Sequence, residues 1–237
     1  MTAFTTPVFD LAPEYAIFLC DITGVMAAPW LAAGYTCILV DPQHPEGVTV
    51  EQFGRLIKVG HVIDHPVTWE VIRSAIRTGR VALVAGFPPC THLAVSGARW
   101  FESKRQADPA FQFKAMQVVW QCHAIGELSG APWFAENPVS QISSLWRRPD
   151  HTFHPYDFTG HCAADNYTKK TCLWVGGGFV MPPALRDDTL SPPDNRIHAC
   201  PPGAERANIR SATPAGFAMA VFKANARRQP TVLQVGA

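Results

Sequence analysis

The stretch YAIFLCDITG at residues 15–24 joins a short apolar run to a polar turn that contains a glycine. A segment with helical character follows and ends at Gly34, and a second apolar run, TCILV at residues 36–40, leads directly into Asp41. This order predicts strand, turn, helix, strand. Because near-continuous apolar strands are typical of a parallel sheet covered on both faces, the sequence indicates an α/β protein with a doubly wound sheet.

The same alternation continues along the chain. The pattern predicts a helix over 71–78, a buried strand VALVAGF at 81–87, a helix over 111–128 and a short strand PWFA at 132–135. Ligands of doubly wound sheets bind at the carboxyl ends of the strands. Polar residues that directly follow these strands are therefore the candidate site residues.

Beyond Gln141 the chain is rich in proline and has few long apolar runs. One strand is predicted at 171–175. The last element is a helix over 213–226, with Thr213 as its N-cap and Pro214 at its first position. The second half is therefore expected to be mostly loop, closed by a C-terminal helix.

Composition excludes several classes of protein. The 237 residues are 47% hydrophobic and carry a net charge of +1, so a sizeable core is expected and no global field draws the chain to nucleic acid or membranes. No apolar run reaches the roughly 18 residues of a membrane helix, and no basic segment precedes an apolar run at the start. We expect a soluble intracellular protein with reduced thiols, since the seven cysteines show no Cys-x-x-Cys spacing.

The histidines and cysteines of the second half could be considered as metal ligands. Their spacing fits no zinc pattern, so the sequence predicts no metal site. The residues in question are His151, His154, His161, Cys162, Cys172, His198 and Cys200.

Cys90 is the sharpest chemical feature. Pro88 and Pro89 fix the backbone before it, at the end of the predicted strand, so the thiol is presented rigidly. A free thiol has a pKa of about 8.5, so a nucleophilic role requires activation by the surroundings. The alternative is a cysteine that acts as a small buried hydrophobe.

Glu136 and Asn137 end another apolar strand and precede Pro138. A carboxyl group in that position can be desolvated and kept protonated, as a general acid requires. The alternative is a turn, since Asn-Pro is a common turn signal.

The turn from Asp21 to Gly24 opens a helix and can bring backbone N–H groups to an anionic ligand. It has one glycine where a dinucleotide-binding fingerprint has three, which disfavours a nicotinamide cofactor. Asp41 follows about 20 residues later, the usual place for a carboxylate that binds ribose hydroxyls. A solvated turn with a surface aspartate is the alternative. Small basic clusters could bind phosphate or form ordinary surface: Arg147-Arg148, Lys169-Lys170, and Arg206 with Arg210.

Taken in order, these motifs resemble those of the DNA cytosine-5 methyltransferases, most closely the compact forms of bacteriophages and prophages. The resemblance runs from Phe18 to Asn225 and implies a Rossmann-like, S-adenosylmethionine-dependent methyltransferase fold. It implies Cys90 as the nucleophile, Glu136 as the acid at N3 of cytosine and Asn137 as its positioning partner. Lys170 stands in for the first arginine of the family's basic strand, while the second has no counterpart.

The resemblance also implies the ligands. S-adenosylmethionine is the expected cofactor, with the ribose held by Asp41 and with His61 and Asp64 both candidates for contact with the adenine. Ser211 and Ala212 lie in the segment that completes the cofactor pocket. The full set of expected cofactor-binding residues is Asp21, Thr23, Gly24, Asp41, His61, Asp64, Pro88, Ser211 and Ala212.

Double-stranded DNA is the implied partner, with the target cytosine flipped out of the duplex. Residues 91–104 are the expected loop that closes over DNA. The expected DNA contacts are Ser96, Arg99, Lys104, Arg147, Arg148 and Lys169. The implied division is a catalytic domain at 15–175, a short loop-rich target-recognition region at 176–205 and a C-terminal helix within 206–237. The expected location is a bacterial or phage-infected host cytoplasm.

Two other functions stay open. The same covalent chemistry could act on RNA or a nucleotide. A decayed, non-catalytic nucleic-acid-binding protein is the third possibility, and Ile22, Pro138 and the short recognition region favour it.

Overall fold

The computed structural model of the protein describes residues 12–226 apart from 202, 204 and 205. One mixed sheet of eight strands organises this part of the chain, in the order β3-β4-β2-β1-β5-β6-β8-β7. The strands are β1 (Glu14–Leu19), β2 (Thr36–Val40), β3 (Val48–Glu51), β4 (Leu56–Val59), β5 (Arg80–Gly86), β6 (Trp133–Pro138), β7 (His151–Phe153) and β8 (Thr171–Gly176).

The five central strands β4, β2, β1, β5 and β6 run parallel. Counted along the chain they have the order 3-2-1-4-5, which is that of a doubly wound sheet. β3 and β8 run antiparallel to their neighbours β4 and β6. The predicted α/β doubly wound architecture is therefore confirmed, and its topological switch point lies between β1 and β5.

Helices cover both faces of the sheet. They are α1 (Ala28–Ala32), α2 (Pro66–Thr78), α3 (Phe101–Ala107), α4 (Phe111–Ser129), α5 (Ile142–Leu145), α6 (Arg196–Ala199), α7 (Arg206–Ser211) and α8 (Ala215–Asn225). On one face α1 and α8 meet, with Trp30 edge-on to Phe222 at 5.2 Å between ring centroids. On the other face lie α2 and α4. None of the helices in the described part of the chain is long and apolar enough to cross a membrane.

Long-range pairing makes β6 longer than its apolar run. The strand continues through Pro138 because β8 pairs with it, with Glu136 opposite Leu173 and Pro138 opposite Thr171. Glu136 and Asn137 therefore lie inside a strand, whereas the sequence predicted them to follow one.

The ends of other elements also differ from the prediction. Helix α8 begins at Ala215 because Pro214 is its N-cap, with an extended ψ of 130°, so Thr213 does not cap it. Helix α2 begins at Pro66, five residues before the predicted start, with the His65 side chain accepting a hydrogen bond from the Val67 N–H.

The segment at 91–104 is not an open loop. It contains a 3-10 helix, Val95–Trp100, that leads into α3. Ala94 forms an isolated bridge with Ser140, and the Val95 N–H donates to the Val139 carbonyl at 3.0 Å. The segment is thereby fastened to the chain that leaves β6.

The proline-rich second half is mostly irregular, as predicted from its sequence. Between β8 and α7, the described residues include one regular element, the single-turn helix α6. The C-terminal region predicted at 206–237 contains α7 and α8, and its residues 227–237 lie outside the described part.

Candidate active site

Three chain segments meet at the carboxyl edge of the sheet. Cys90 follows β5, Glu136 lies near the end of β6, and Lys169 lies two residues before β8. Since β8 is antiparallel to β6, its first residue Thr171 lies opposite Pro138. The sheet topology thus brings a thiol, a carboxyl and an ammonium group to one edge.

Asn137 fixes the geometry of this edge. Its side chain is buried, and its Nδ2 donates a hydrogen bond of 2.8 Å to the Pro88 carbonyl. The bond fastens β6 to the Pro-Pro-Cys turn. The Cys90 carbonyl accepts hydrogen bonds from the N–H groups of Leu93 and Ala94, at 3.0 and 2.8 Å, so the turn is closed on its other side as well.

Opposing influences act on the Cys90 thiol. Burial raises its pKa, and the neighbouring Glu136 carboxylate raises the pKa further because it repels a thiolate. The positive charges of Lys169 and Arg210 lower the pKa of the same thiol. Cys37 and Cys122 are also buried with raised pKa values, but no cation acts on either of them.

Glu136 is the buried carboxyl group of this edge. Burial raises the pKa of its carboxyl, and the Lys169 charge offsets part of this effect. Its Oε1 and the Oδ1 of Asn137 are shielded from solvent, and neither has a hydrogen-bond partner among the described residues. Because buried polar atoms in native proteins are almost always paired, these two oxygens indicate a polar ligand that binds between them and the thiol.

The two lysines before β8 have different surroundings. Lys169 is half-buried, acts on Cys90 and Glu136, and donates from Nζ to the Ala212 carbonyl at 3.3 Å. Lys170 is exposed, and its charge acts on His154 and Cys172. The structure therefore brings Lys169, rather than Lys170, to the cluster formed by Cys90 and Glu136.

A cavity of about 280 Å³ opens beside the cluster, at the carboxyl ends of β1, β2, β4 and β5. Its volume is close to the lower end of ligand clefts, about 300 Å³. His61 and Asp64, both predicted cofactor contacts, line it. The other lining residues are Cys20, Val40, Pro42, Val62, Ile63, Pro89, Lys114, Gln117, Val118 and Gln121.

Asp21 follows Cys20, which lines the cavity, and organises the turn after β1. Its Oδ1 accepts hydrogen bonds from the N–H groups of Thr23 and Gly24, at 2.9 and 2.8 Å, and from the Thr23 hydroxyl at 3.0 Å. Gly24 has a φ of +66°, a conformation that favours glycine. Burial raises the pKa of Asp21, and its buried Oδ2 has no partner in the part of the chain that the structure describes. The turn is therefore a rigid frame with one polar atom left for a ligand.

Asp41 closes a similar turn after β2 through its side chain. Its Oδ1 accepts a hydrogen bond from the Gln43 N–H at 2.8 Å, and the residue is largely buried. The buried His44 places its Nε2 3.1 Å from the Asp21 carbonyl oxygen and so connects the two turns. His44 carries no recognisable motif, and the sequence gave no reason to select it.

Two of the nine predicted cofactor residues, His61 and Asp64, line the cavity, and the other seven do not. The Pro88 carbonyl is taken by Asn137, and it is Pro89 that lines the cavity. Ser211 and Ala212 do not line it, and Ala212 instead contacts Lys169. The segment before α8 therefore lies against Lys169.

The predicted DNA contacts divide between the two edges of the sheet. Ser96 and Arg99 lie in the 3-10 helix after Cys90, with the Arg99 guanidinium 5.0 Å from the exposed Trp100 ring. Lys104 donates from Nζ to the Thr91 carbonyl at 2.6 Å and so fixes the segment that follows Cys90.

Arg147 lies at the opposite edge. Its guanidinium donates to the Val175 carbonyl and pairs with Asp150. Val175 lies four residues, about 13 Å, along β8 from Thr171, which is at the Cys90 edge. Arg147 therefore lies away from Cys90, because β8 runs antiparallel to β6, and the contact of Arg147 and Arg148 with DNA stays a prediction.

The residues of α4 that line the cavity were not identified from the sequence. Lys114, Gln117 and Gln121 face the cavity at intervals of three and four residues, which is one stripe of a helix. That spacing could have identified them. Arg210 was noted as a member of a basic cluster, but its proximity to Cys90 depends on the path of the irregular chain after β8.

A wider and more open depression of about 540 Å³ is bordered by Thr159, His161 and Asp187, among others, and includes none of these site residues. Among the residues that the structure describes, no group of three His, Cys, Asp or Glu side chains could hold a metal ion. No protein-family model matches the chain, and no curated protein matches it.

Proposed function

We propose that the protein is a cytosine C5 methyltransferase that acts on double-stranded DNA with S-adenosylmethionine as the methyl donor. The observation that carries the proposal is the convergence of Cys90, Glu136 and Asn137, with the unpaired Glu136 Oε1 beside the thiol. The motif resemblance agrees with this arrangement.

Cys90 supplies the nucleophile. Carbon 5 of cytosine is a weak nucleophile, and addition of the Cys90 thiolate to C6 makes it reactive. The new S–C6 bond forms as the electron pair of the C5–C6 double bond moves through the ring toward N3. Lys169 stabilises the thiolate form by its charge.

Glu136 supplies the proton at N3. A carboxyl group whose pKa is raised by burial keeps its proton and donates it as negative charge develops on N3. Asn137 holds the acid in register with the Cys90 turn through its bond to the Pro88 carbonyl. After C5 has been methylated, loss of the C5 proton to a base returns the electron pair and expels the Cys90 thiolate.

The cavity beside Cys90 fits an adenosine-bearing cofactor. It lies at the carboxyl ends of the central strands, where doubly wound sheets bind nucleotides. Asp21 follows the lining residue Cys20, and its buried Oδ2 has no partner among the described residues. His61, Asp64, Gln117 and Gln121 are the polar side chains that would hold the adenosine moiety. When bound, S-adenosylmethionine supplies an electrophilic methyl group.

Access to the target atom requires base flipping, which costs a few kcal/mol in unstacking. The segment that carries Ser96, Arg99 and Trp100 follows Cys90 directly and lies at the same edge as the thiol. Its exposed aromatic ring and guanidinium suit contacts with bases and phosphates.

A covalent trap tests the proposal. Duplex DNA containing 5-fluorocytosine retains the Cys90 adduct because fluorine at C5 cannot leave as a proton does. We expect a denaturation-resistant adduct in the presence of S-adenosylmethionine, lost in Cys90→Ser and retained in Cys162→Ser, a half-buried cysteine elsewhere.

Unmodified DNA of varied sequence, with labelled S-adenosylmethionine, should acquire label on cytosine. Binding of DNA and cofactor without adduct or label would contradict catalysis and identify a non-catalytic DNA-binding protein. Label on RNA or nucleotides alone would assign the same chemistry to another substrate.

A further inference from the structure

His44 is a buried residue in the loop after β2. Its Nε2 lies 3.1 Å from the carbonyl oxygen of Asp21, in the turn after β1 and 23 residues away in the chain. Because a carbonyl oxygen can only accept a hydrogen bond, the imidazole carries a proton on Nε2 and donates it to Asp21. His44 is not among the described residues that line the cavity, so it can affect a ligand there only through the residues that it holds.

The loop that carries His44 is packed on its other side against the loop after β4. A Cβ at Gly60 would lie 2.0 Å from the Pro45 carbonyl oxygen and 2.8 Å from that of His44, so the two backbones approach closely because glycine has no side chain. The Gly60 N–H also donates to the Gly47 carbonyl at 2.9 Å. The backbone of His44 is therefore fixed against one loop, and its side chain fixes another.

The three loops that meet in this way supply much of the cavity wall. Cys20 lies in the turn after β1, Pro42 in the loop after β2 and His61 in the loop after β4, and all three line the cavity. The turn after β1 also carries the buried Asp21 Oδ2, which has no partner among the described residues. A bond to the Asp21 carbonyl therefore sets the position of one wall of the cavity relative to the others.

We propose that His44 is a positioning residue of this cavity, and that its hydrogen bond to the Asp21 carbonyl holds the loops after β1, β2 and β4 in the arrangement that binds the cofactor. The proposal rests on the proposed function for the identity of that cofactor, S-adenosylmethionine. Without the bond the turn after β1 samples other positions, and the measured affinity falls with the population of the binding-competent arrangement.

Two amide variants isolate the hydrogen bond. Glutamine places its Nε2 about as far from the backbone as the Nε2 of histidine, whereas the asparagine amide is shorter by one methylene group. We expect His44→Asn to raise the Kd for S-adenosylmethionine about tenfold, the size expected for one buried hydrogen bond, and His44→Gln to stay within about twofold of wild type. Isothermal titration calorimetry on the full chain measures both. Equal Kd values for the two variants would overturn the proposal.

Asp165→Ala is the control for a general loss of stability. Asp165 accepts a buried hydrogen bond from the Gly216 N–H, and neither residue lines the cavity. This variant should melt at a lower temperature than wild type and bind S-adenosylmethionine with the wild-type Kd. A rise in Kd equal to that of His44→Asn would overturn the proposal, because any weakening of the fold would then suffice.

Hydrogen exchange tests the positioning without a ligand. The N–H groups of Thr23 and Gly24 donate to Asp21 Oδ1, so their exchange reports local opening of the turn. Mass spectrometry of the peptide that covers residues 20–24 should show exchange about tenfold faster in His44→Asn and at the wild-type rate in His44→Gln. Unchanged exchange in His44→Asn would overturn the proposal. The expected exchange rates in a wild-type protein that does not bind S-adenosylmethionine would reject the proposed cofactor and leave the positioning role supported.

Should His44→Asn fail to fold, NMR of the wild-type imidazole decides. Long-range ¹H–¹⁵N spectra at about pH 8.5, where an ordinary imidazole is neutral, should show the His44 proton on Nε2, with the signal assigned by its loss in His44→Gln. Addition of S-adenosylmethionine should shift this signal. A proton on Nδ1 would overturn the proposal, because a bare Nε2 cannot donate to a carbonyl.

Discussion

Glu136 combines two properties that oppose stability. It is a carboxyl group at a desolvated position, and its Oε1 has no partner among the described residues. Burial of an unpaired polar atom costs about 1–3 kcal/mol. Site residues of this kind are held in place by the surrounding fold, in this case by the Asn137 bond to the Pro88 carbonyl.

Replacement of Glu136 by Gln should therefore stabilise the protein at alkaline pH. Burial raises the pKa of Glu136, so the folded chain keeps a proton that the unfolded chain has already lost, and stability falls as the pH rises through that range. Glutamine has no such titration. We expect the melting temperature of Glu136→Gln to exceed that of wild type by about 2–4 °C at about pH 8 and to match it at about pH 4. Calorimetric scans across this range check the prediction, and a difference that does not vary with pH would contradict it.

The sequence identified some site residues but could not distinguish others from the residue next to them. Cys90 and Glu136 were identifiable because the polar residues at strand ends of a doubly wound sheet converge. Lys169 and Lys170 were not separable, because successive residues beside a strand point to opposite sides and a shift of one residue exchanges them. The register of β8 on β6 decides between them, and that register depends on pairing across more than thirty residues.

At the scale of elements, local signals predicted the strands and helices that form without distant partners. The strand at 36–40 has the predicted limits, and α4 ends one residue beyond its prediction. The hairpin of β3 and β4 was missed because each strand has four residues. The extension of β6 to Pro138 was missed because β8, its pairing partner, lies far along the chain.

Helix α8 shows how a distant element can define a helix end. Its N-cap is Pro214, which offers no side-chain acceptor, and the N–H of Gly216 donates to Asp165 Oδ2 at 2.6 Å. A Cβ at Gly216 would lie 2.5 Å from the Phe158 carbonyl, so the helix start is packed closely against the 3-10 turn at Pro155–Phe158. Asp165 therefore caps α8 from outside the helix, where a negative charge is favourable.

Removal of this cap should destabilise the α8 docking. We expect Asp165→Ala to lower the free energy of unfolding by about 1–2 kcal/mol, the usual cost of losing a helix N-cap. Urea titration followed by circular dichroism measures the loss. Asp188→Ala, which removes an exposed aspartate, is the matched control and should change stability by less than about 0.5 kcal/mol. Equal effects of the two substitutions would show that the Asp165 bond does not hold the helix.

At the scale of the whole molecule, the near-neutral charge of +1 means that attraction to DNA depends on where the cations lie. The strand directions of the sheet place these cations at different edges. Arg99 and Lys169 lie at the edge that carries Cys90. Arg147 contacts Val175 at the opposite end of β8, and Arg148 is its neighbour in the chain. A sequence can give the number of basic residues, but only the strand directions assign them to an edge.

The two edges can be compared with one substitution on each. The guanidinium groups of Arg99 and Arg147 both stack on a neighbouring tryptophan, 5.0 and 4.7 Å from the ring centroids. Arg147 also pairs with Asp150 and donates to the Val175 carbonyl, so its replacement would disturb the fold. The exposed Arg148 is therefore the better variant at the far edge. We expect Arg99→Ala to weaken binding to duplex DNA and to reduce the slope of log affinity against log salt concentration by about one unit, the contribution of one phosphate contact. Arg148→Ala removes the same charge from the opposite edge and should leave affinity and slope at wild-type values. Fluorescence anisotropy over a range of salt concentrations measures both quantities, and an equal loss in the two variants would mean that DNA does not select the Cys90 edge.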